Sequence, residues 1–105
     1  MAREQFQTLT EPMFYTLLAL LEEQCGVDVM RLVQEISHER VRIGPGTLYA
    51  MLGRFEEGGY IRLTKTEGRR RWYVISDEGR RLLQEEIERQ RHMQRDAMEV
   101  MDCQK

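Results

Sequence analysis

Residues 61–75 read Ile61-Arg-Leu-Thr-Lys-Thr-Glu-Gly-Arg-Arg-Arg-Trp-Tyr-Val-Ile75, two short runs rich in β-branched and aromatic side chains parted by Thr66-Glu67-Gly68. This pattern predicts a β-hairpin: such side chains suit a pleated surface, and glycine supplies the backbone freedom of a tight turn. The stretch holds five cationic side chains and one carboxylate, a local charge of +4 in a chain whose formal net charge is −2. Strand alternation sends Arg71 and Tyr73 to one face and Trp72 and Val74 to the other, so one face belongs to a core and the other to solvent or a ligand. A cationic tip on an otherwise acidic protein points to a polyanionic partner.

Immediately upstream, residues 47–57 predict a helix with Leu48, Leu52 and Phe55 facing inward at spacings of four and three, stopped by Gly58-Gly59. A short turn containing Gly44-Pro45-Gly46 precedes it. Before that turn lies a helix capped by Asp28, with Val29, Leu32, Val33 and Ile36 as its apolar stripe and an end near His38-Glu39-Arg40. Two helices joined by a glycine-bearing turn and followed by a hairpin make a winged helix-turn-helix, a mainly α fold with a small β-hairpin. The first helix of the chain starts at Thr10-Glu11-Pro12, with hydroxyl cap, first-turn carboxylate and first-turn proline in order. It carries Met13, Phe14, Leu17, Leu18 and Leu21 on one wide face and is stopped by Gly26.

The last helix opens at Ser76-Asp77-Glu78 and meets no breaker before about Met101. That is about 25 residues, or roughly 37 Å at 1.5 Å per residue. Leu82, Leu83, Ile87, Met93, Ala97, Met98 and Met101 give it apolar positions. A 105-residue chain builds one small domain, whose core is too short to cover such a helix. The expectation is therefore a winged domain over residues 1–75 and a dimerisation helix over 76–105 packed on it, one continuous unit that forms a two-fold homodimer; the other reading is a frayed, solvated tail, which the polar stretch from Arg89 to Asp96 allows. Phe14, Leu17, Ile87, Met93, Met98 and Met101 are assigned to a dimer groove. Either it is interface packing alone, or its pliable methionines also admit a small ligand.

Composition excludes several classes. Hydrophobic content of 41% and charged content of 32% fit a soluble globular chain. No apolar run reaches the length of a membrane span and no signal segment opens the chain, so the expected location is cytoplasmic and no membrane is expected as a partner. Cys25 and Cys103 lie far apart outside any CxxC pair, and His38 and His92 sit on separate helical segments, so neither a disulfide scaffold, a metal nor a cofactor is expected. No nucleophile–base set, paired catalytic carboxylates or phosphate-cradling loop can be assembled, which excludes an enzyme.

Double-stranded DNA is the polyanion this arrangement suits. The helix at residues 47–57 would enter the major groove N-terminus first, with Thr47 and Tyr49 projecting from its opening turns. Gly44 and Gly46 permit close backbone approach, and Arg42 and Arg54 flank the helix as phosphate clamps. Lys65, Arg69, Arg70 and Arg71 on the wing would reach the backbone or a neighbouring minor groove. Tyr49 has a second reading, a structural ring packed under the wing, and Gly44-Pro45-Gly46 reads equally as turn chemistry. A dimer would place two recognition helices about 34 Å apart and so select an inverted-repeat operator. The competing class is a winged helix that docks proteins through its acidic first segment, where residues 1–40 sum to −4.

Three motifs, in order and on the predicted elements, resemble the PadR family of transcriptional regulators over residues 13–83. Pro45-Gly-Thr-Leu-Tyr-Ala-Met-Leu-Gly-Arg-Phe-Glu-Glu-Gly-Gly59 is similar to the family's P-G-T-L-Y-x-x-L-x-R-L-E-x-x-G signature. Arg69-Arg-Arg-Trp-Tyr73 resembles its basic wing, and Ser76-Asp-Glu-Gly79 its T-x-x-G helix start. The chain has Gly44 where the family often has serine, Gly53 where it often has lysine, and Gly26-Val27 in place of Gly-Tyr. The resemblance, to the short subgroup with a single C-terminal helix, implies a DNA-binding regulator, commonly a repressor, in some members released by small aromatic or cationic ligands.

Overall fold

The computed structural model describes residues 8–104. In chain order the elements are α1 (Glu11–Ala19), β1 (Gln24–Cys25), α2 (Gly26–Ile36), α3 (Pro45–Glu57), β2 (Ile61–Glu67), β3 (Arg70–Ile75) and α4 (Asp77–Asp102). The winged helix-turn-helix and the long last helix are both present. Around them, several boundaries differ from the sequence expectation, each for a local physical reason.

α1 starts as expected, with the Thr10 hydroxyl accepting from Met13 N, but ends at Ala19 well before Gly26. The chain leaves the helix because the Leu20 carbonyl is taken by Ile75 N at 2.7 Å and the next residues form β1. β1 pairs antiparallel with β3, Gln24 opposite Tyr73 and Cys25 opposite Trp72, giving a three-stranded sheet in the order β1-β3-β2. A two-residue strand has no periodicity to read, so the hairpin alone was visible in the sequence. α2 then begins two residues before the expected Asp28 cap, directly from the strand. Asp28 sits inside its first turn, favourable to the helix dipole without capping.

α2 ends at Ile36, and His38 and Glu39 follow in the left-handed region with φ of 56° and 69°. His38 is thus a turn residue rather than the helical one expected. Such backbone costs about 1–2 kcal/mol per residue and has to be held by neighbours. Ser37 does this: buried, it receives Val41 N on its hydroxyl at 3.0 Å, while Glu39 N reaches Gln34 O at 2.8 Å.

The hairpin closes on two residues, Gly68 and Arg69, with Glu67 opposite Arg70. Gly68 has a φ of 59°, as the first position of a II′ turn requires. Thr64 is an extra residue in β2, since Leu63 faces Tyr73 while Lys65 faces Trp72. This bulge shifts the alternation, bringing Lys65 onto the Trp72 side of the sheet.

One core holds the elements together. Leu17, Leu20, Val29, Val33, Leu48, Leu52 and Phe55 are fully buried where α1, α2 and α3 meet, and Tyr73, Ile75, Leu82 and Leu83 bring in the sheet and α4. Each such side chain contributes about 1.5–3 kcal/mol of transfer free energy. Leu17, assigned to the dimer groove, is a core residue instead. The apolar face of α1 is wide, and its Leu17 edge is the one turned inward.

Candidate nucleic-acid interface

α3 begins at Pro45 on a Gly44 N-cap, two residues earlier than expected. Its inward side is Leu48, Met51, Leu52 and Phe55. Its outward side is Gly46, Thr47, Ala50, Gly53, Arg54 and Glu57, all exposed, with the half-exposed Tyr49 at its edge. Ala50 was missed in the sequence, although the Gly46, Ala50, Gly53 spacing of four and three could have found it. The opening turns of the outward side are therefore uncharged and, beside the Tyr49 ring, smooth, with Arg54 and Glu57 confined to the last turn. Nothing lies within 4 Å of where a Cβ would sit on Gly44, Gly46 or Gly53, so a groove floor can approach the helix backbone. An exposed alanine or threonine methyl can meet a thymine methyl there.

The four helices differ at their starts. α1 and α4 are capped by their own hydroxyls, Thr10 and Ser76, whereas α2 and α3 have no side-chain cap. The helix-turn-helix pair thus lacks the hydroxyl cap that α1 and α4 carry. Arg54 occupies the last turn of α3, where a cation suits the negative end of the dipole. Arg42 is exposed and pairs with Glu39 at 3.3 Å. An exposed pair of this kind is worth about 0–1 kcal/mol, so a phosphate can displace the carboxylate cheaply.

Arg69 is at the hairpin tip, and Arg70 and Arg71 begin β3 beside it, all exposed. Among the described residues no carboxylate lies within ion-pair distance of Arg62, Arg69, Arg70 or Arg71. Lys65, expected at the tip, is set back from it. Its Nζ is 4.4 Å from the Trp72 ring centroid and 3.7 Å from Glu67 Oε2. Tyr73 faces the core, where burial pushes its hydroxyl above the ordinary tyrosine range. Arg71 opposes that shift, and Glu56 and Tyr49 add to it, which places the wing strand electrostatically beside α3. Tyr49 is 48% exposed, with one ring edge against the start of α2.

The residues assigned to the groove separate. Phe14 and Met93 line a cleft of about 410 Å³ between α1 and α4, together with Tyr15, Glu11, Arg40, Glu86 and Arg89. Phe14 and Tyr15 meet edge to face at 5.5 Å. Glu11 pairs with Arg40, and the buried Glu86 with Arg89. Hydrogen bonds from Arg89 hold the Glu86 carboxyl below its ordinary range, against the opposing effect of burial. Ile87, Met98 and Met101 lie outside this cleft, exposed along α4.

Solved structures share the architecture. RosR of H. salinarum superposes with a TM-score of 0.70 at 20% identity, covering 92% of this chain and 93% of that one. A transcriptional regulator from Clostridium thermocellum gives a TM-score of 0.70 at 22% identity, with 85% and 87% covered. A PadR family transcriptional regulator from Eggerthella lenta gives 0.63 at 25% identity, with 85% and 79% covered. Among curated protein sequences none is a match. The sequence model of the transcriptional regulator PadR-like family matches residues 15–85, across the helix-turn-helix, the wing and the first turns of α4, and the chain accordingly belongs to that family of transcriptional regulators, which are not enzymes.

Proposed function

We propose that the protein is a homodimeric, sequence-specific binder of double-stranded DNA that represses transcription by occupying an inverted-repeat operator. One observation carries the reading. The uncharged opening turns on the outward side of α3 lie next to a wing whose arginines have no carboxylate partner among the described residues. Small side chains let the helix seat in a major groove, and unpaired arginines supply the phosphate attraction. A protein-docking surface has no need of that combination.

The exposed length of α4 supports the dimer. The face that packs Leu82 and Leu83 into the core continues along the helix as Met93, Ala97, Val100 and Met101, which are exposed. The molecule extends 60 Å along its longest axis against 33 and 21 Å across. An apolar face that outruns its own domain is covered economically by a second copy. The cleft between α1 and α4, lined by the Phe14 and Tyr15 rings and by the Glu11–Arg40 and Glu86–Arg89 pairs, is the place proposed for a small aromatic or cationic effector.

Fluorescence anisotropy with duplexes tiled across the gene's own upstream region, at two salt concentrations and with excess nonspecific competitor, tests the central claim. One competitor-resistant palindromic fragment is expected. Equal weak binding to every fragment would overturn the reading and leave protein docking ahead. Calorimetry on the dimer with small aromatic cations tests the cleft, with loss of the heat in a Phe14→Ala variant as the expected control.

A further inference from the structure

Gly26 opens α2 and is buried, yet its φ lies outside the left-handed region that favours glycine. Backbone geometry therefore gives no reason for glycine, and alanine is the better helix former. Space does give one. The three nearest heavy atoms to a Cβ at this position all belong to Tyr49: Cε1 at 3.2 Å, Oη at 3.5 Å and Cζ at 3.7 Å. The Tyr49 ring lies with one edge in the gap that the missing side chain leaves, and about half of its surface faces solvent. Gly26 is itself anchored to the wing, since the two residues before it pair with Tyr73 and Trp72 of β3.

We propose that Gly26 is a positioning residue for DNA recognition, reserving the space that fixes the Tyr49 ring across the start of α2 and so setting where the Tyr49 hydroxyl meets the DNA. This rests on the DNA-binding reading above. A Cβ at 3.2 Å forces the ring to give by a few tenths of an ångström or to swing outward. A half-exposed tyrosine swings easily. The fold tolerates the change while the hydroxyl loses its place.

The test is a double-mutant cycle on the full chain with the palindromic duplex found by tiling. Gly26→Ala is expected to keep or raise the melting temperature, to weaken duplex binding about 5-fold, and to leave the salt slope unchanged because no cation is removed. In a Tyr49→Ala background the same change is expected to have no further effect. Unaltered binding by Gly26→Ala, or a loss that persists undiminished without Tyr49, would overturn the assignment. Should Gly26→Ala lower the melting temperature, recovery in Gly26→Ala/Tyr49→Ala keeps the assignment and failure to recover removes it. Wild-type protein that finds no competitor-resistant duplex would sink the DNA reading itself, and this inference with it.

Discussion

Gly79 shows how one residue joins the wing to α4. A Cβ there would lie 2.1 Å from the Tyr60 carbonyl oxygen and 2.6 Å from Ile75 Cγ1, and that same carbonyl accepts Ser76 N at 3.0 Å. On an open helix surface glycine to alanine stabilises by about 0.4–1 kcal/mol. Here the obstacle is backbone, and overpacking of about 1–3 kcal/mol outweighs that gain. Gly79→Ala is expected to lower the melting temperature by about 4–8 °C per kcal/mol lost, measured by circular dichroism. Thr16 makes the opposite case: fully buried in α1, its hydroxyl has no hydrogen-bond partner among the described residues. Thr16→Val keeps the shape and removes the stranded group, and is expected to raise stability by about 1 kcal/mol in urea unfolding.

At the scale of elements, the proposed DNA contact and the proposed dimer contact fall to different parts, the wing and α4. Each phosphate neutralised on duplex DNA contributes about −0.9 to the slope of log affinity against log salt. Arg69→Ala/Arg70→Ala is expected to weaken binding to every duplex alike and to flatten the slope by about 2, and an unchanged slope would remove the hairpin tip from the interface. α4 runs 26 residues, and every described residue from position 94 onward is exposed. Met98→Glu/Met101→Glu is expected to leave the winged domain folded, because neither side chain reaches its core, and to shift sedimentation from dimer to monomer. A variant that sediments like wild type would place the dimer contact elsewhere.

For the whole molecule, Glu86 ties the segment before α1 to the first half of α4. It is buried on α4, accepts Leu9 N at 3.3 Å and Arg89 Nε at 3.1 Å, and so links the segment before α1 to the last helix. Its carboxyl is held below the unfolded value, first by the Arg89 hydrogen bonds. A depressed carboxylate contributes stability that is full above its unfolded pKa, about 4.3, and is lost as pH falls through the folded value. Urea midpoints are therefore expected to drop below about pH 4.3 in the wild type and to drop less in Glu86→Gln, which starts about 1–3 kcal/mol lower at neutral pH. Parallel acid limbs in the two proteins would assign the pH dependence to other carboxylates.

By itself the sequence determined the kind and order of the long elements. Helical spacing of Leu48, Leu52 and Phe55, the Thr10 and Ser76 caps, Gly59 in the left-handed region after α3, and the cationic hairpin are local signals, each readable within a few residues. Candidate DNA residues on α3 and the wing were legible for the same reason, as outward positions on elements whose inward positions are plain. What depended on partners distant in the chain was not. β1 exists only because β3 is there to pair with it, and Leu17 belongs to the core because α1 packs against α2 and α4. The Thr64 bulge and the crowding at Gly79 likewise arise between segments. Periodicity orients a side chain about its own helix or strand axis. Only the tertiary structure decides which neighbour, if any, waits on that side.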